Sequence, residues 1–336
     1  MKYSLLIITI LLSSCNRWMF PTETTADPLK VFDFTQKKVK SNYSFFELKK
    51  INWDSISISY RKKIKPTTTN DELFEILNSY LGELKDGHVN IFTKNNKGRY
   101  WNWYNDYPDN FNKNFVEAQY LKKNFEITGP FYHNWIDSIG YIYYGSFSSN
   151  FSTEETNYIF KKYKSAKGLI IDVRDNGGGS TNNLLNLVGR FVKNKTWIGC
   201  TSEKTGFATN DFSNSKDIFV YPQGNYQFNE TPIIVLTNRR CYSATSFFAA
   251  FMSTLPNVTI VGDKTGGGSG IPISSELPNG WSVRYSASKT INTEGLDFEL
   301  GVNPDYFIQT GPNEELEKKD ALIEKGKELI LSKSKK

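Results

Sequence analysis

The stretch PIIVLTNRRCYSATSFFAAF, residues 232–251, joins an apolar run to a turn and then to a second apolar segment. Residues 232–236 have the composition of a buried strand, and Ser243 stands where a helix over residues 244–255 is predicted to begin. A serine at a strand–helix junction can project its hydroxyl, with the next backbone N–H at the positive end of the helix dipole. Serine is also a favoured N-cap residue, so this stretch alone leaves the role of Ser243 open.

Short apolar strands and helices alternate along the chain from about residue 139. This alternation predicts an α/β fold with substantial parallel strand pairing. Ser152 and Glu155 have capping-box spacing at the start of one of the helices. The predicted strands cover residues 139–144, 168–173, 232–236, 258–261 and 281–286, and the predicted helices cover residues 153–164, 182–193, 244–255 and 314–331.

The N-terminal part of the chain, residues 31–86, is predicted to be helical. Its clearest helix covers residues 70–85, where Thr69 and Glu72 have the spacing of a capping box and Gly87 fits the position just past the end. Five residues form one apolar stripe along this helix, which predicts that it packs on a core. They are Leu73, Leu77, Tyr80, Leu81 and Leu84.

The following stretch, residues 89–137, is rich in Asn, Tyr and Trp and shows no regular pattern. Its aromatic residues either pack as a loop on the core or line a groove, and the sequence leaves both interpretations open. The residues concerned are Trp101, Trp103, Tyr104, Tyr107 and Phe111.

The chain begins with the features of an export signal. Lys2 precedes an apolar run, residues 3–12, that is too short to span a bilayer and suits the centre of a signal peptide. The sequence Leu-Ser-Ser-Cys at 12–15 resembles the lipobox of bacterial lipoproteins. The resemblance implies a signal peptide over residues 1–15 and a lipid on Cys15.

Lipidation of Cys15 would attach the protein to a membrane of the bacterial cell envelope, on its periplasmic side or at the cell surface. An ordinary signal peptide with an incidental cysteine is the alternative. Residues 16–30, which contain several threonines and two prolines, are predicted to be a tether.

The composition disfavours several classes of protein. The 336-residue chain has a net charge of +6, but its basic and acidic residues are interleaved, which disfavours a nucleic-acid-binding surface. His88 and His133 are the only histidines, and no Cys/His cluster has metal-site spacing, so neither a metal nor a cofactor is predicted. Beyond Cys15, the chain has only Cys200 and Cys241, which could form a disulfide that nothing in the sequence requires.

Two other segments carry features of a catalytic site. Residues 84–88 (LKDGH) place His88 just after the capped helix, where it is either a general base or an ordinary loop residue. Residues 169–179 (LIIDVRDNGGG) run from an apolar strand into three glycines whose N–H groups can turn toward an anion. This segment lacks the spacing of nucleotide-binding loops, which disfavours nucleotide binding, and an oxyanion hole needs the same arrangement of N–H groups.

Together these segments resemble the C-terminal processing (tail-specific) serine proteases, and within them the branch that includes the tricorn core protease. The resemblance covers roughly residues 40–310, and its blocks occur in the family's order. They are Asp86-Gly87-His88, the segment 169–179, Ser243-Ala244 with the preceding strand, residues 261–268 (VGDKTGGG) and residues 301–305 (GVNPD).

The resemblance implies a Clp protease/crotonase-like α/β core over residues 87–312. A small N-terminal helical domain over residues 31–86 would precede it, and a C-terminal helix with a basic tail, residues 313–336, would follow it. Relatives with a Ser–Lys dyad usually carry a PDZ domain before the core. Only 50 residues lie between His88 and Ile139, so no PDZ domain is expected here.

The sequence departs from the dyad pattern at the expected lysine. That lysine lies 25 residues after the nucleophile, where this chain has Gly268, and Lys264 comes four residues too early. The resemblance then implies the tricorn-like arrangement, in which His88 is the base. A supporting carboxylate is expected shortly before residues 301–305; Glu299 is the nearest candidate, and Asp297 and Glu294 remain possible.

The resemblance therefore predicts a serine endopeptidase that cleaves unfolded or C-terminally exposed polypeptides through an acyl-enzyme. Ser243 is the predicted nucleophile, His88 the general base, and Glu299 the residue that orients the histidine directly or indirectly. The oxyanion hole is assigned to the N–H of Ala244 and to one N–H of the loop at Gly177–Gly178.

Other interpretations remain open. Arg239 and Arg240, just before the nucleophile, either bind a substrate carboxylate or form a solvated turn. A lipid-tethered peptide-binding protein that has lost activity is the alternative function, and a hydrolase acting on esters is a third. The natural substrate and the oligomeric state cannot be inferred from the sequence.

Overall fold

The computed structural model describes residues 27–105, 107–310 and 318–333. Eight α-helices lie within these ranges, and none of them is long and apolar enough to cross a membrane. They are α1 (Pro28–Asn42), α2 (Trp53–Arg61), α3 (Asn70–Gly82), α4 (Lys113–Val116), α5 (Thr153–Lys162), α6 (Thr181–Val188), α7 (Ala244–Met252) and α8 (Ala321–Lys333). A π-helical turn, Glu117–Leu121, extends α4, and a 3-10 turn covers Phe298–Leu300.

Strands of the described residues form three sheets of seven, four and three strands. The first seven strands are β1 (Asn90–Phe92), β2 (Lys97–Arg99), β3 (Glu126–Thr128), β4 (Phe131–Ile136), β5 (Ile139–Tyr144), β6 (Leu169–Asp172) and β7 (Thr196–Glu203). The others are β8 (Lys216–Val220), β9 (Ile233–Thr237), β10 (Val258–Gly262), β11 (Pro272–Glu276), β12 (Ser282–Ser286), β13 (Ser288–Asn292) and β14 (Tyr306–Phe307).

The seven-stranded sheet forms the centre of the fold, in the order β14-β10-β9-β6-β5-β4-β3. Its strands from β14 to β5 are parallel, and β4 and β3 are antiparallel at one edge. Apolar residues of the central strands point alternately to two buried clusters, one on each face of the sheet. The predicted α/β fold with parallel pairing is therefore confirmed, and strands covered on both faces explain the continuous apolar runs in the sequence.

The N-terminal helices pack on a separate antiparallel sheet, in the order β11-β12-β1-β2. Phe32 and Leu77 from the helices share a buried core with Ile91, Val283 and Tyr285 from the strands. The helices predicted for residues 31–86 thus form a unit with strands from much later in the chain. A third sheet, β13-β7-β8, lies beside this unit and continues the chain from β12.

Several local predictions are confirmed and others are wrong. Both predicted capping boxes form, with Thr69 and Glu72 at the start of α3 and Ser152 and Glu155 at the start of α5. Gly87 does not end the preceding helix. The helix stops at Gly82, and Lys85 takes the left-handed conformation at φ 46°.

The strands that the sequence pattern missed are short or pair with their neighbours in antiparallel fashion. They include β3, β4, β7, β8, β11 and β13.

The predicted tether of residues 16–30 overlaps a helix, because α1 begins at Pro28. The predicted signal peptide with Cys15, residues 16–26 of the predicted tether, and residues 313–317 and 334–336 of the predicted C-terminal segment lie outside the described residues. Cys200 and Cys241 are both free thiols, so they do not pair with each other.

Arg174 anchors the carboxyl end of β6 through a buried ion-pair network. Its guanidinium is fully buried and lies 2.6 Å from an Asp172 carboxylate oxygen and 2.8 Å from an Asp320 carboxylate oxygen. It also donates to the carbonyl of Asn110 at 3.1 Å. One side chain therefore joins the central strand, the loop before α4 and the start of α8.

We expect Arg174→Ala to lower the free energy of unfolding by about 3–5 kcal/mol, because two buried carboxylates would lose their counter-charge. Urea denaturation of both proteins at neutral pH measures this loss. The matched control is Arg61→Ala, which breaks an exposed pair with Asp33 and is expected to change the free energy of unfolding far less, because solvent screens this pair. Equal costs for the two variants would contradict the structural role of the buried network.

Candidate active site

The candidate site lies at the carboxyl edge of the parallel strands. Because β6, β9 and β10 run in the same direction, the loops that follow them meet at one edge of the sheet. These loops carry Gly177–Gly179, Ser243 and Gly266–Gly268 respectively. The carboxyl edge of an open parallel sheet is the usual location of ligand-binding crevices in this class of fold.

Ser243 occupies the junction between the loop after β9 and the first residue of α7. Its backbone has φ 55° and ψ −124°, a conformation that costs a non-glycine residue roughly 1–3 kcal/mol. Its N–H donates to the carbonyl of Gly267 at 2.8 Å, which holds the strained residue in place. The hydroxyl makes no capping bond to the helix, so it is available to the pocket that Ser243 lines.

The glycine loop after β6 packs directly against the nucleophile segment. A Cβ on Gly178, which has φ +97°, would lie 2.6 Å from the Tyr242 carbonyl oxygen and 2.9 Å from the Ala244 nitrogen. The Gly178 N–H donates to the Asn176 side chain at 3.0 Å, so it is already used within the loop. Of the predicted oxyanion donors, Gly177 and Ala244 keep N–H groups that have no partner among the described residues.

If this site has the serine-peptidase activity that the sequence resemblance implies, Gly178→Ala should lower turnover by roughly 10²–10³-fold, because the added methyl group would push the loop away from Ala244 and spoil oxyanion binding. Initial rates of peptide cleavage measure the effect, and urea denaturation shows whether the variant is folded. Gly82→Ala is the matched control, since a Cβ there meets no atom within 4 Å. Full activity in a folded Gly178→Ala variant would contradict the assigned oxyanion hole.

His88 lines the same pocket and lies on the loop between α3 and β1. Its ring stands edge-on to the Tyr242 ring, with the centroids 4.9 Å apart, and only 5% of the residue is exposed. Gly87 permits this packing, because a Cβ there would lie 3.0 Å from the Tyr242 and Trp103 rings. The ring Nδ1 is buried and has no hydrogen-bond partner within the part of the chain that the structure describes.

The pKa of His88 is lowered to about 4. Burial is the main cause, and the positive charges of Arg284, Arg99 and Lys49 lower it further, while Asp86 opposes them. The imidazole is therefore neutral at physiological pH, which is the form that can accept a proton.

Asp86 joins two loops of the site: the histidine loop, which carries His88 between α3 and β1, and the nucleophile loop, which carries Ser243 between β9 and α7. One carboxylate oxygen accepts the His88 backbone N–H at 2.7 Å and the Tyr242 hydroxyl at 3.2 Å. The other oxygen accepts the Ser286 hydroxyl at 2.9 Å and lies 3.6 Å from the Lys49 ammonium. Burial opposes ionisation of Asp86, but the charge of Lys49 and the hydrogen bonds from the His88 N–H and the Ser286 hydroxyl lower its pKa.

Lys49 links this carboxylate to a second one. Its ammonium lies 2.7 Å from an oxygen of Glu299, and it also donates to the carbonyls of Leu84 at 3.4 Å and Lys85 at 3.3 Å. Burial acts to lower the pKa of Lys49, but the two carboxylates outweigh it and raise that pKa. Lys49 therefore remains charged and ties the histidine loop to the residues near Glu299.

Glu299 is linked to His88 indirectly, through the ammonium of Lys49 and the carboxylate of Asp86. Its second oxygen accepts the Ser269 N–H at 2.9 Å, and burial raises its pKa. Asp297 instead accepts the Ser269 hydroxyl at 2.8 Å, and Glu294 is exposed. Of the three candidate carboxylates, Glu299 is the one that the structure joins to the histidine loop, and the connection is indirect.

The structure explains why no dyad lysine occurs at position 268. A Cβ on Gly268, which has φ +80°, would lie 2.5 Å from the Tyr242 ring. The same Tyr242 ring packs on the His88 ring, so it occupies the space that a lysine side chain at position 268 would need. Lys264 is not among the residues that line the Ser243 pocket.

The pocket that contains Ser243 has a volume of about 380 Å³. Its lining residues come from the loop after β5, the loops that carry Gly177–Gly179, Ser243 and His88, and the sheet of β1, β2 and β12. They include Gly87, His88, Asn90, Lys97, Arg99, Ser146, Ser148, Gly177, Gly178, Gly179, Tyr242, Ser243 and Arg284.

Arg239 and Arg240 do not line this pocket, contrary to the predicted substrate-binding role. Arg239 donates to the carbonyls of Trp103 and Thr265, both at 2.8 Å, which makes it a structural residue of the loop. Arg240 lies at a separate small cleft, 3.9 Å from a carboxylate oxygen of Asp109. The cations that do line the pocket are Lys97, Arg99 and Arg284.

Sequence reasoning missed the functions of Lys49, Asp86 and Tyr242. Asp86 stands in a block that the sequence singled out, but nothing in its spacing showed that it would bind the loop of the nucleophile. Lys49 lies in a helical region without a motif. Its role depends on a contact with Glu299, 250 residues later in the chain, and only the folded structure reveals it.

The aromatic residues of the irregular stretch divide between core and surface. Trp103 packs on Tyr242 with centroids 4.4 Å apart, and Phe111 packs on Tyr143 at 5.4 Å. Trp101 is 49% exposed beside Arg99. No cluster of His, Cys, Asp or Glu suited to hold a metal occurs in the described part of the chain.

Comparison with known proteins gives two matches to protein families. The family described as peptidase family S41 matches residues 138–308, and the tricorn protease C1 domain matches residues 24–82. The chain belongs to peptidase family S41. The family predicted from the sequence motifs is thereby confirmed, and the C1 match agrees with the tricorn-like branch.

The relatives of this S41 chain include solved structures and curated proteins. It is 40% identical to a candidate peptidase from Parabacteroides merdae, with a TM-score of 0.87 over 91% of this chain and 98% of that one. It is 27% identical over 173 residues to the chloroplastic C-terminal processing peptidase of Tetradesmus obliquus, which is 51% of this chain and 35% of that protein. Mature CPAF, 12% identical with a TM-score of 0.67 over 90% of this chain and 96% of that one, shares the fold.

The matched region of the S41 chain spans about a third of the length of its curated relatives, 35%, 38% and 32% in three cases. Ser243, the glycine loop and Glu299 lie within the match to family S41. His88 lies between the two matched ranges. Its proposed role therefore depends on its place in the pocket.

Proposed function

We propose that the protein is a serine endopeptidase that cleaves unfolded or C-terminally exposed polypeptides through an acyl-enzyme on Ser243. The observation that carries the proposal is the meeting of three features in one pocket: a strained serine at a helix start, unpartnered N–H groups beside it, and a buried neutral histidine. The membership in family S41 and the C-terminal processing relatives support the same activity.

In the proposed reaction the Ser243 oxygen attacks the carbonyl carbon of the scissile peptide bond while His88 takes the hydroxyl proton. Because Nδ1 is buried, Nε2 is the nitrogen that receives this proton. The negative charge that develops on the carbonyl oxygen is stabilised by the N–H groups of Ala244 and Gly177, at the positive end of α7.

The tetrahedral intermediate then collapses. His88 gives its proton to the amine of the departing fragment, the C–N bond breaks, and an ester joins the remaining fragment to Ser243. A water molecule attacks this ester while His88 again acts as the base. Hydrolysis releases a peptide with a new carboxyl end and restores the serine hydroxyl.

The buried cluster of Asp86, Lys49 and Glu299 holds this machinery in position. Asp86 joins the histidine loop to Tyr242, the residue before the nucleophile. Glu299 joins the cluster to the loop whose Gly267 carbonyl accepts the Ser243 N–H. Catalytic groups from two separate packing units are thereby held in one geometry, which is what proximity catalysis requires.

We also propose that the protein is exported and anchored in the cell envelope by a lipid on Cys15. The apolar run of residues 3–12 and the Leu-Ser-Ser-Cys sequence support this proposal. Metabolic labelling with a fatty acid tests it: label should appear on the wild-type protein and disappear in Cys15→Ala. Equal labelling of both proteins would contradict lipidation at Cys15.

The test of the proposed activity uses protein that starts at Asn16, together with its Ser243→Ala variant. Both are incubated with an unfolded protein, with peptides and with the corresponding ester substrates, and the products are identified by mass spectrometry. Cleavage of amides by the wild type alone supports the endopeptidase. Peptide binding by both proteins without cleavage would favour an inactive binding protein, and cleavage of esters alone would favour an esterase.

A further inference from the structure

Three cationic side chains line the Ser243 pocket on one face of the antiparallel sheet. Asn90 of β1 pairs with Arg284 of β12 on one side and with Arg99 of β2 on the other, so these residues form a row across the strands. Lys97, two residues before Arg99, lies on the same face. The intervening Ile91, Val283 and Gly98 are buried on the opposite face, toward the N-terminal helices.

These cations have no carboxylate partner within 4 Å among the described residues. The Arg99 Nε donates to the Gly87 carbonyl at 3.0 Å, and its guanidinium lies 4.7 Å from the Trp101 ring centroid. Lys97 lies 5.4 Å from the Phe92 ring centroid. Asp86 offsets part of the charge of Arg284 from a distance. The pocket therefore carries an excess of positive charge beside the nucleophile.

Each of these cations makes the charged form of its neighbours less favourable. Burial lowers the pKa of Lys97, and the charges of Arg99 and Arg284 lower it further. Burial likewise lowers the pKa of Arg284, with a contribution from Arg99. An anion bound between them would relieve this repulsion, because opposite charges at short distance favour the charged forms.

The row contains a second group that lacks a partner. The Asn90 side chain is buried, and its Oδ1 accepts no hydrogen bond from the described residues, while its Nδ2 donates to the Gly87 carbonyl at 3.4 Å. An unsatisfied buried acceptor is costly unless a ligand satisfies it. A backbone N–H of a bound peptide would supply the missing donor.

We propose that Lys97, Arg99 and Arg284 form a subsite for a substrate carboxylate next to the scissile bond, with Asn90 accepting an adjacent peptide N–H. The carboxylate is either the α-carboxylate of the substrate's own C-terminus or the side chain of an acidic residue. This inference rests on the proposed function and assigns the anion-binding role to this sheet in place of Arg239 and Arg240.

The test uses one peptide sequence in four forms: with a C-terminal carboxylate or carboxamide, and with Glu or Gln near the cleaved bond. We expect the wild type to cleave one carboxylate form with a kcat/KM about 10–100-fold above that of its neutral form, mainly through KM. The carboxylate–carboxamide pair tests the terminal source, and the Glu–Gln pair tests the side-chain source.

Arg284→Met and Lys97→Met should each reduce several-fold the ratio of kcat/KM between the carboxylate form and its neutral form. Lys97 is exposed, so its variant serves as the second test if Arg284→Met fails to fold. Lys195→Met is the matched control, because Lys195 lies over the Phe219 and Tyr221 rings and does not line the pocket. It should keep the full preference.

Several outcomes would overturn the subsite. One is equal cleavage of all four peptides by the wild type, and another is an unchanged preference in both pocket variants. Loss of the preference only in Arg240→Met would place the anion at the neighbouring cleft instead. If no peptide is cleaved, the proposed function fails, and peptide affinities measured by fluorescence anisotropy with the same variants still decide whether the subsite binds carboxylates.

Discussion

Ser243→Ala is expected to reduce kcat for peptide cleavage by roughly 10⁶-fold, the size of loss that follows removal of the nucleophile from a serine protease. Without the hydroxyl no acyl-enzyme can form, although the oxyanion hole and the substrate pocket remain. The measurement is the initial rate of cleavage of a fluorogenic peptide, with the protein concentration raised until the residual rate of the variant is detectable.

The control for this variant comes from the other end of the same helix. Ser253 follows α7, and its hydroxyl donates to the Ala250 carbonyl, far from the residues that line the pocket. Ser253→Ala should therefore retain activity within about twofold of the wild type. A Ser243→Ala variant that keeps a substantial fraction of the activity would show that another residue is the nucleophile.

His88→Asn is expected to lower kcat nearly as much as Ser243→Ala, because the serine is a poor nucleophile unless a base accepts its proton. Since the two residues act as one unit, the double variant should be no slower than either single variant. His133→Asn is the matched control: His133 is buried between Thr128 and Tyr163 and lies outside the pocket. Lys264→Ala should also stay active.

The pH dependence of kcat/KM gives a second measure of the same residue. Burial and the neighbouring cations lower the pKa of His88 to about 4, so the histidine should remain an effective proton acceptor through neutral pH. Activity should therefore be nearly constant from about pH 6 to 8 and fall as the pH drops through about 4, where the imidazole becomes protonated. An acid limb near pH 6.5 would contradict the environment assigned to His88.

Much of the site could be predicted from sequence because its backbone elements have local signals. Two sequence patterns predict turns at the carboxyl edge of a sheet. One is the apolar strand followed by Thr-Asn-Arg-Arg-Cys-Tyr-Ser, and the other is the apolar strand that runs into three glycines. The structure places Ser243, Gly177 and His88 around one pocket, as their chemistry required. The positions of these residues depend on the local conformation of the turns in which they lie.

The features that sequence reasoning missed depend on long-range pairing. Strand β12 pairs with β1, and this register brings Arg284 beside Asn90 and into the pocket. No local pattern identifies the partner of an antiparallel strand nearly 200 residues away. The contacts of Arg239 were missed for the same reason, since proximity in sequence to Ser243 did not reveal its bonds to Trp103 and Thr265.

The charge cluster around Lys49 links the N-terminal unit to the loops that line the Ser243 pocket. Two carboxylates share one buried ammonium, and each carboxylate holds a different loop of the site. Buried clusters of this kind are expensive to desolvate and are retained when they specify geometry. We propose that the geometry they specify is the placement of His88 and Ser243 around one pocket.

Covalent labelling with a fluorophosphonate tests the central claim most directly, because this reagent bonds to a serine oxygen only when a base activates it. After a timed reaction, the mass of the intact protein and of its proteolytic fragments gives the number and position of the adducts. We predict one adduct per chain, on Ser243, absent from Ser243→Ala and formed orders of magnitude more slowly in His88→Asn. Labelling at another residue, or equal rates in the wild type and His88→Asn, would contradict the account.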